Sequence, residues 1–191
     1  MFMVAHQSAS PLWTEAEFYV ARDAAPPGER WELVDGEVLV TPSPRTDHQL
    51  VSGSLFALLH EYVRAMRLGR ALTASLDVKL QPGLVTQPDL LVVPTAELVD
   101  KEYFVSKLLL AAEIISPSSA RFDRVVKRPR YQRTRVPEYW VIDQQSRTFE
   151  RWQPDDERPA ILAERLVWHP EGAGAAFELD IPAFFVDAES V

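Results

Sequence analysis

Two acidic residues stand where their neighbours are apolar. Glu113 interrupts the run from Leu108 to Ile115 (LLLAAEII), and Asp89 heads the run Leu90 to Val93 in QPDLLVVP. A lone carboxylate in such a strand is costly or takes up a proton, so each needs a cation, a basic side chain or a metal ion beside it. If the two strands are neighbours, as short connections favour, the acids meet on one face and repel each other. A divalent cation resolves that conflict, and carboxylate oxygens suit Mg²⁺ or Mn²⁺, with water and substrate phosphate completing the shell. Asp123, Lys127 and Tyr131 are spaced by four and share one face of the helix that leaves the Glu113 strand. A lysine there can offset the acids, polarise a bound water or steady charge building on a phosphate. The structural alternatives are Asp89 bonding nearby amides at a strand start, Glu113 paired with an arginine, and Lys127 on the surface beside Asp123.

Composition bounds the partner. The chain has 191 residues, 47% hydrophobic and 25% charged, which suits one globular domain over 1–191, with a core over about 13–150 and C-terminal strands over about 151–191. It has no cysteine, so neither a disulfide framework nor a thiolate metal site is possible. No stretch approaches the roughly 18 apolar residues of a membrane span, which excludes a membrane-spanning role for its helices. The opening MFMVAHQSASPLW lacks the basic-then-apolar pattern of a secretory signal, so the expected location is cytoplasmic. A net charge of −8 argues against nucleic acid. That average hides a segment from Arg121 to Arg135 with seven basic residues and one acid, carrying +6 and leaving −14 for the rest. A concentrated basic element on an acidic body is compatible with a local phosphate-binding surface, and equally with a solvated helix face paired to nearby acids.

The positioning elements follow from pattern. WTEAEFYVAR reads as a first helix, with Thr14 as cap and Glu17 closing a capping box. RWELVDGEVLV carries Asp35-Gly36 between apolar runs, predicting a hairpin with Glu32, Val34, Glu37 and Leu39 on one face. Ser43-Pro44 opens a helix to about Leu68, with Pro44 at its first position and His48 in its first turn. ALTASLDVKL reads as one strand, QPGLVTQ as a turn, and residues 95–107 as a short helix or loop. After the Glu113 strand comes a helix over about 119–134, kinked or divided at Pro129. PEYWVID then returns as a parallel strand, TFERWQ pairs with it, and two or three short strands finish the chain.

The motif order WELVDGE, TPSPRTDHQ, QPDLLVV, AAEIISPSS, D-x-x-x-K-x-x-x-Y and VPEYWVID resembles the Uma-two family of restriction-endonuclease-like proteins, in the PD-(D/E)XK nuclease superfamily. The resemblance covers roughly residues 13–150. It implies an α+β, mixed α/β fold: a restriction-endonuclease-like core whose central mixed β-sheet is flanked by helices, with an added antiparallel hairpin region. It also implies a Mg²⁺- or Mn²⁺-dependent endonuclease acting on DNA. Carried over residue by residue, Asp89 and Glu113 are the metal-binding and catalytic acids. The superfamily lysine falls two residues after Glu113, where this chain has Ile115, and the resemblance places that lysine on the next helix instead, at Lys127. Glu32 and His48 match supporting positions. Arg121, Arg124, Arg128 and Arg130 are then the expected phosphate contacts, and a homodimer would suit cleavage of both strands. Ile115 and the acidic body motivate an alternative, a non-catalytic nucleic-acid-binding or assembly module on the same fold.

Overall fold

The computed structural model describes residues 12–41, 43–99, 104–117 and 119–190. Helix α1 (Glu15–Asp23) begins at a complete Thr14/Glu17 capping box. It packs on the hairpin of β1 (Arg30–Val34) and β2 (Glu37–Thr41). Asp35 and Gly36 both have positive φ, as a two-residue turn of this hand requires, and Glu32 pairs with Leu39 in the predicted register. Helix α2 (Thr46–Ala65) starts after Arg45, two residues later than the first position expected for Pro44. His48 remains in its first turn.

The stretch read as one strand is two, β3 (Gly69–Thr73) and β4 (Asp77–Gln81), and they belong to different sheets. Thr73 pairs with Leu90 whereas Val78 pairs with Thr86, so the chain changes sheets across Ala74 to Leu76. The expected turn at QPGLVTQ contains a further strand, β5 (Leu84–Thr86), hydrogen-bonded to both β1 and β4. Then come β6 (Leu90–Pro94), a single 3-10 turn at Thr95–Leu98, β7 (Phe104–Val105) and β8 (Leu110–Ile115).

A helix crosses from β8 to the parallel strand β9 (Tyr139–Asp143), as the sequence predicted. Its first part, Phe122–Lys127, is a wider π-helical turn, and α3 (Arg128–Arg133) continues it. The Arg128 amide donates five residues back, to the Asp123 carbonyl. Pro129 has no amide to continue this ladder, and the Arg128 side chain donates to the Arg124 carbonyl in its place at 3.3 Å. The division expected at Pro129 therefore takes the form of a change of helical pitch.

Strands β10 (Thr148–Trp152), β11 (Ala160–Leu162), β12 (Arg165–Trp168) and β13 (Phe177–Asp180) follow. The chain does not finish on strands. Helix α4 (Ile181–Glu189) closes the described part, capped by Asp180 with Pro182 in its first turn.

The six-stranded sheet, ordered β11-β10-β9-β8-β6-β3, is mixed because β8 and β9 run parallel. Helices α2 and α4 cover one of its faces, burying Leu90, Val92, Leu110, Ala112, Ile114, Trp140 and Ile142. The alternate residues Leu91, Val93, Ala111, Ile115, Tyr139 and Val141 face the other side, under Tyr131 of α3 and Val78 of β4. Both faces are covered, so β6 and β8 do not alternate polar with apolar, and Glu113 is the exception within β8. The second sheet, β2-β1-β5-β4-β7, brings the hairpin to the side that Glu113 faces.

Candidate active site

Asp89 immediately precedes β6, and Glu113 lies opposite it in the antiparallel β6–β8 register, which pairs Leu90 with Ala112. Their side chains share one face at the end of the sheet. The Asp89 amide reaches Glu113 Oε2 at 3.4 Å, and the Ile114 amide donates to Asp89 Oδ2 at 2.8 Å. The two acids are thus in contact through strand geometry, and both are buried.

Lys127 lowers its ammonium into this corner from the π-helical turn and is 1% exposed. Its Nζ donates to Glu113 Oε1 at 2.8 Å and lies 2.9 Å from Glu32 Oε2 and 3.4 Å from Asp123 Oδ1. The Glu32 oxygen is held by charge alone, since it has no aligned hydrogen-bond donor. Glu32 Oε1 accepts from the Gln87 amide at 2.7 Å. On the outer side of Asp89, Arg30 Nη1 lies 2.5 Å from Oδ1 and His48 Nε2 lies 2.9 Å from Oδ2. Glu32, His48, Asp89, Glu113 and Lys127 therefore form one cluster, joined by Arg30 and Asp123.

Its charges do not balance. Four buried carboxylates, Glu32, Asp89, Glu113 and Asp123, meet two fixed cations, Arg30 and Lys127. Burial raises the Glu113 carboxyl; Lys127 pulls it down, but the charges of Asp123, Asp89 and Glu32 leave it well above the ordinary range. Asp123 is raised for the same reasons, burial first. Burial also opposes ionisation of Asp89, yet the bond from His48 and the charge of Arg30 carry it below the usual carboxylate range. Burial would lower the Lys127 ammonium, and Glu113, Glu32 and Asp123 instead hold it well above its ordinary value. Burial among like charges thus favours the protonated forms of Glu113 and Asp123, and a divalent cation would supply positive charge to the same corner.

The donor set fits such an ion in chemistry: two carboxylates in contact from adjacent strands, with a third, Glu32, paired to Lys127 in the same corner. Among the described residues no three His, Asp or Glu side chains are grouped as a complete metal cage. Mg²⁺ does not need one, since it is commonly bound by one or two carboxylates with water and phosphate oxygens around it.

A family described as "Putative restriction endonuclease", Uma2, matches residues 16–182. The chain belongs to the Uma2 family. A solved structure titled a putative nuclease belonging to DUF820, from Anabaena variabilis ATCC 29413, superposes with a TM-score of 0.75 at 20% identity. The match covers 92% of this chain and 99% of that one, and at this identity it establishes a shared fold. No curated protein matches. Uma2 membership and the mixed sheet flanked by helices agree with the resemblance read from the sequence.

The predicted phosphate-binding arginines are distributed differently from the acids. Arg124 is bound to Glu150 and Asp143, Arg128 to Gln132 with its guanidinium over Trp152, and Arg130 to Asp35. Arg121 is exposed and makes no ion pair among the described residues. Arg133 and Arg135 are likewise matched, to Asp35 and Asp155. Most of the +6 charge of this segment is therefore answered within the chain.

Sequence reasoning missed Arg30 and Gln87. Arg30 had a signal: it stands two residues before Glu32 and so shares its face of β1. Gln87 had none, because its contribution to Glu32 is a backbone amide; its side chain donates to Asp77, which Arg22 and Tyr19 of α1 also hold.

Proposed function

We propose that this Uma2 protein is a Mg²⁺- or Mn²⁺-dependent endonuclease that hydrolyses phosphodiester bonds in DNA. The observation that carries this reading is the Asp89–Glu113 pair at the sheet end with Lys127 Nζ 2.8 Å from Glu113. Asp89 and Glu113 would hold the ion. When bound, the ion would activate a water and offset charge on the phosphate in the transition state. Lys127 fixes Glu113 through Oε1 and leaves Oε2 on the Asp89 side. Its ammonium, kept charged by three acids, supplies positive potential to the reacting phosphate. Glu32 holds Lys127 in place, and His48 orients Asp89. Arg121 is free to contact a flanking phosphate, and Arg124, Arg128 and Arg130 would do so by exchanging their present partners.

Calorimetric titration of Mg²⁺ and Mn²⁺ into wild type and Glu113→Gln, with plasmid nicking by the same two proteins, tests the reading. Metal binding and nicking present in wild type and absent in the variant support it. Wild type that neither binds metal nor nicks DNA refutes it.

A second reading, a nucleic-acid-binding or assembly module, is favoured by one observation: Asp89 and Glu113 are both engaged by cations of this chain, Arg30 and Lys127. Such a module would retain DNA affinity in Asp89→Asn and Glu113→Gln, with no dependence on divalent metal.

A further inference from the structure

The two oxygens of Asp89 are held in different ways. Oδ2 accepts from the Ile114 amide, which is fixed in the sheet, and faces His48 on α2. Oδ1 is held by a long side chain from the other sheet, Arg30, whose Nη1 lies 2.5 Å away. The Arg30 side chain is 23% exposed, and its Nε donates to Thr41 Oγ1 at 3.3 Å. It has room to withdraw toward solvent, which the Ile114 amide does not. Lys127, by contrast, is enclosed and bonded to Glu113.

We propose that Arg30 is a resident counter-ion that holds the place of the divalent cation on Asp89 and must leave Oδ1 for that ion to bind. The inference rests on the nuclease reading for the identity of the ligand, a divalent metal ion. Its physical basis is that a guanidinium and a divalent cation on the same carboxylate oxygen repel at contact distance, in a buried corner where screening is weak. Negative charge is abundant there: Glu113 is in contact with the Asp89 amide, and Glu32 meets Glu113 across Lys127. The metal-free protein is thereby stabilised by a cation that works against metal loading. Arg30 and the metal are two ligands of one carboxylate with negative coupling between them.

Mn²⁺ titration by calorimetry on full-length wild type, Arg30→Gln and Arg30→Lys tests this. Arg30→Gln, which removes the competing charge, is expected to bind Mn²⁺ at least about fivefold more tightly than wild type, the lower edge of ordinary coupling between two ligands. Arg30→Lys, which keeps a cation, is expected to stay near wild type. If Arg30 instead only steadies Asp89 for the metal, Arg30→Gln binds equally or more weakly, and the proposal is overturned while metal binding by wild type stands. Absence of binding in all three proteins overturns this proposal, and plasmid nicking by wild type then decides the nuclease reading separately.

A second measurement needs no variant. Arginine Nε–Hε spectra of wild type across a Mg²⁺ titration should show the Arg30 resonance move as the site fills. A resonance unchanged at metal saturation overturns the proposal even if Arg30→Gln does not fold.

Discussion

Replacing Lys127 with methionine keeps the length and apolar stem of the side chain and removes the cation that, among the described residues, touches Glu113, Glu32 and Asp123. Breaking a buried ion pair by deleting one partner costs about 3–5 kcal/mol, because the remaining charge is left without compensation. For a chain of this size each kcal/mol corresponds to about 2–4 °C, so the midpoint should fall by roughly 6–20 °C near pH 8. The pH dependence separates this cause from simple loss of packing. The Lys127 ammonium has a raised folded-state value, so its own contribution is fully present below the ordinary lysine range and is constant across pH 5 to 8. Glu113 and Asp123 also have raised values, so the folded state favours their protonated forms, and stability falls as pH rises through their folded-state values. Without Lys127 those values rise further. The gap between wild type and Lys127→Met is therefore smallest near pH 5 and widens toward pH 8. Urea denaturation at both pH values reads it directly. A gap below about 1 kcal/mol at pH 8, or one that is flat with pH, would refute the view of Lys127 as the compensating charge.

Glu113→Gln removes a carboxyl that the fold prefers protonated, so its stability at pH 8 should equal or exceed that of wild type in urea, while Mn²⁺ binding disappears in calorimetry. Asp77→Ala deletes the acceptor shared by Arg22, Tyr19 and Gln87; a loss of about 1–3 kcal/mol is expected, with faster amide exchange in α1 as the local signature. In the C-terminal helix, Asp180→Ala should cost about 1 kcal/mol through the lost cap. Phe185→Ala should cost about 3–5 kcal/mol through the cavity left between α4 and the six-stranded sheet, and thermal unfolding ranks the two.

The elements that were legible in the sequence are those specified locally. The Thr14/Glu17 box, the Asp35-Gly36 turn and the β8–helix–β9 crossover each depend on residues close together in the chain. The division of 69–81 was not legible, because Thr73 and Val78 differ in their partners, Leu90 and Thr86, and not in their own character. Helix α4 could have been read: Asp180 and Pro182 give a start signal, and Ile181, Phe184, Phe185 and Ala188 follow helical spacing. In the candidate site, the acids announced themselves by standing among apolar residues. The pairings of the arginines could not, since Arg130 meets Asp35 from 95 positions away.

Ile115 sits two residues beyond Glu113 on the same side of β8, where the superfamily pattern has a lysine. It is buried in the cluster that contains Tyr131, Tyr139 and Val141. Tyr131 lies one turn beyond Lys127 on the same helical segment. The strand position without the cation thus helps to seat the helix that delivers one. Ile115→Lys alone would add a second buried ammonium, whereas losing the isoleucine would loosen the support under Lys127. The two positions are thus coupled through packing, since Ile115 and Tyr131 share one buried cluster. The place of the ammonium beside Glu113 therefore depends on an apolar contact made two residues further along the strand.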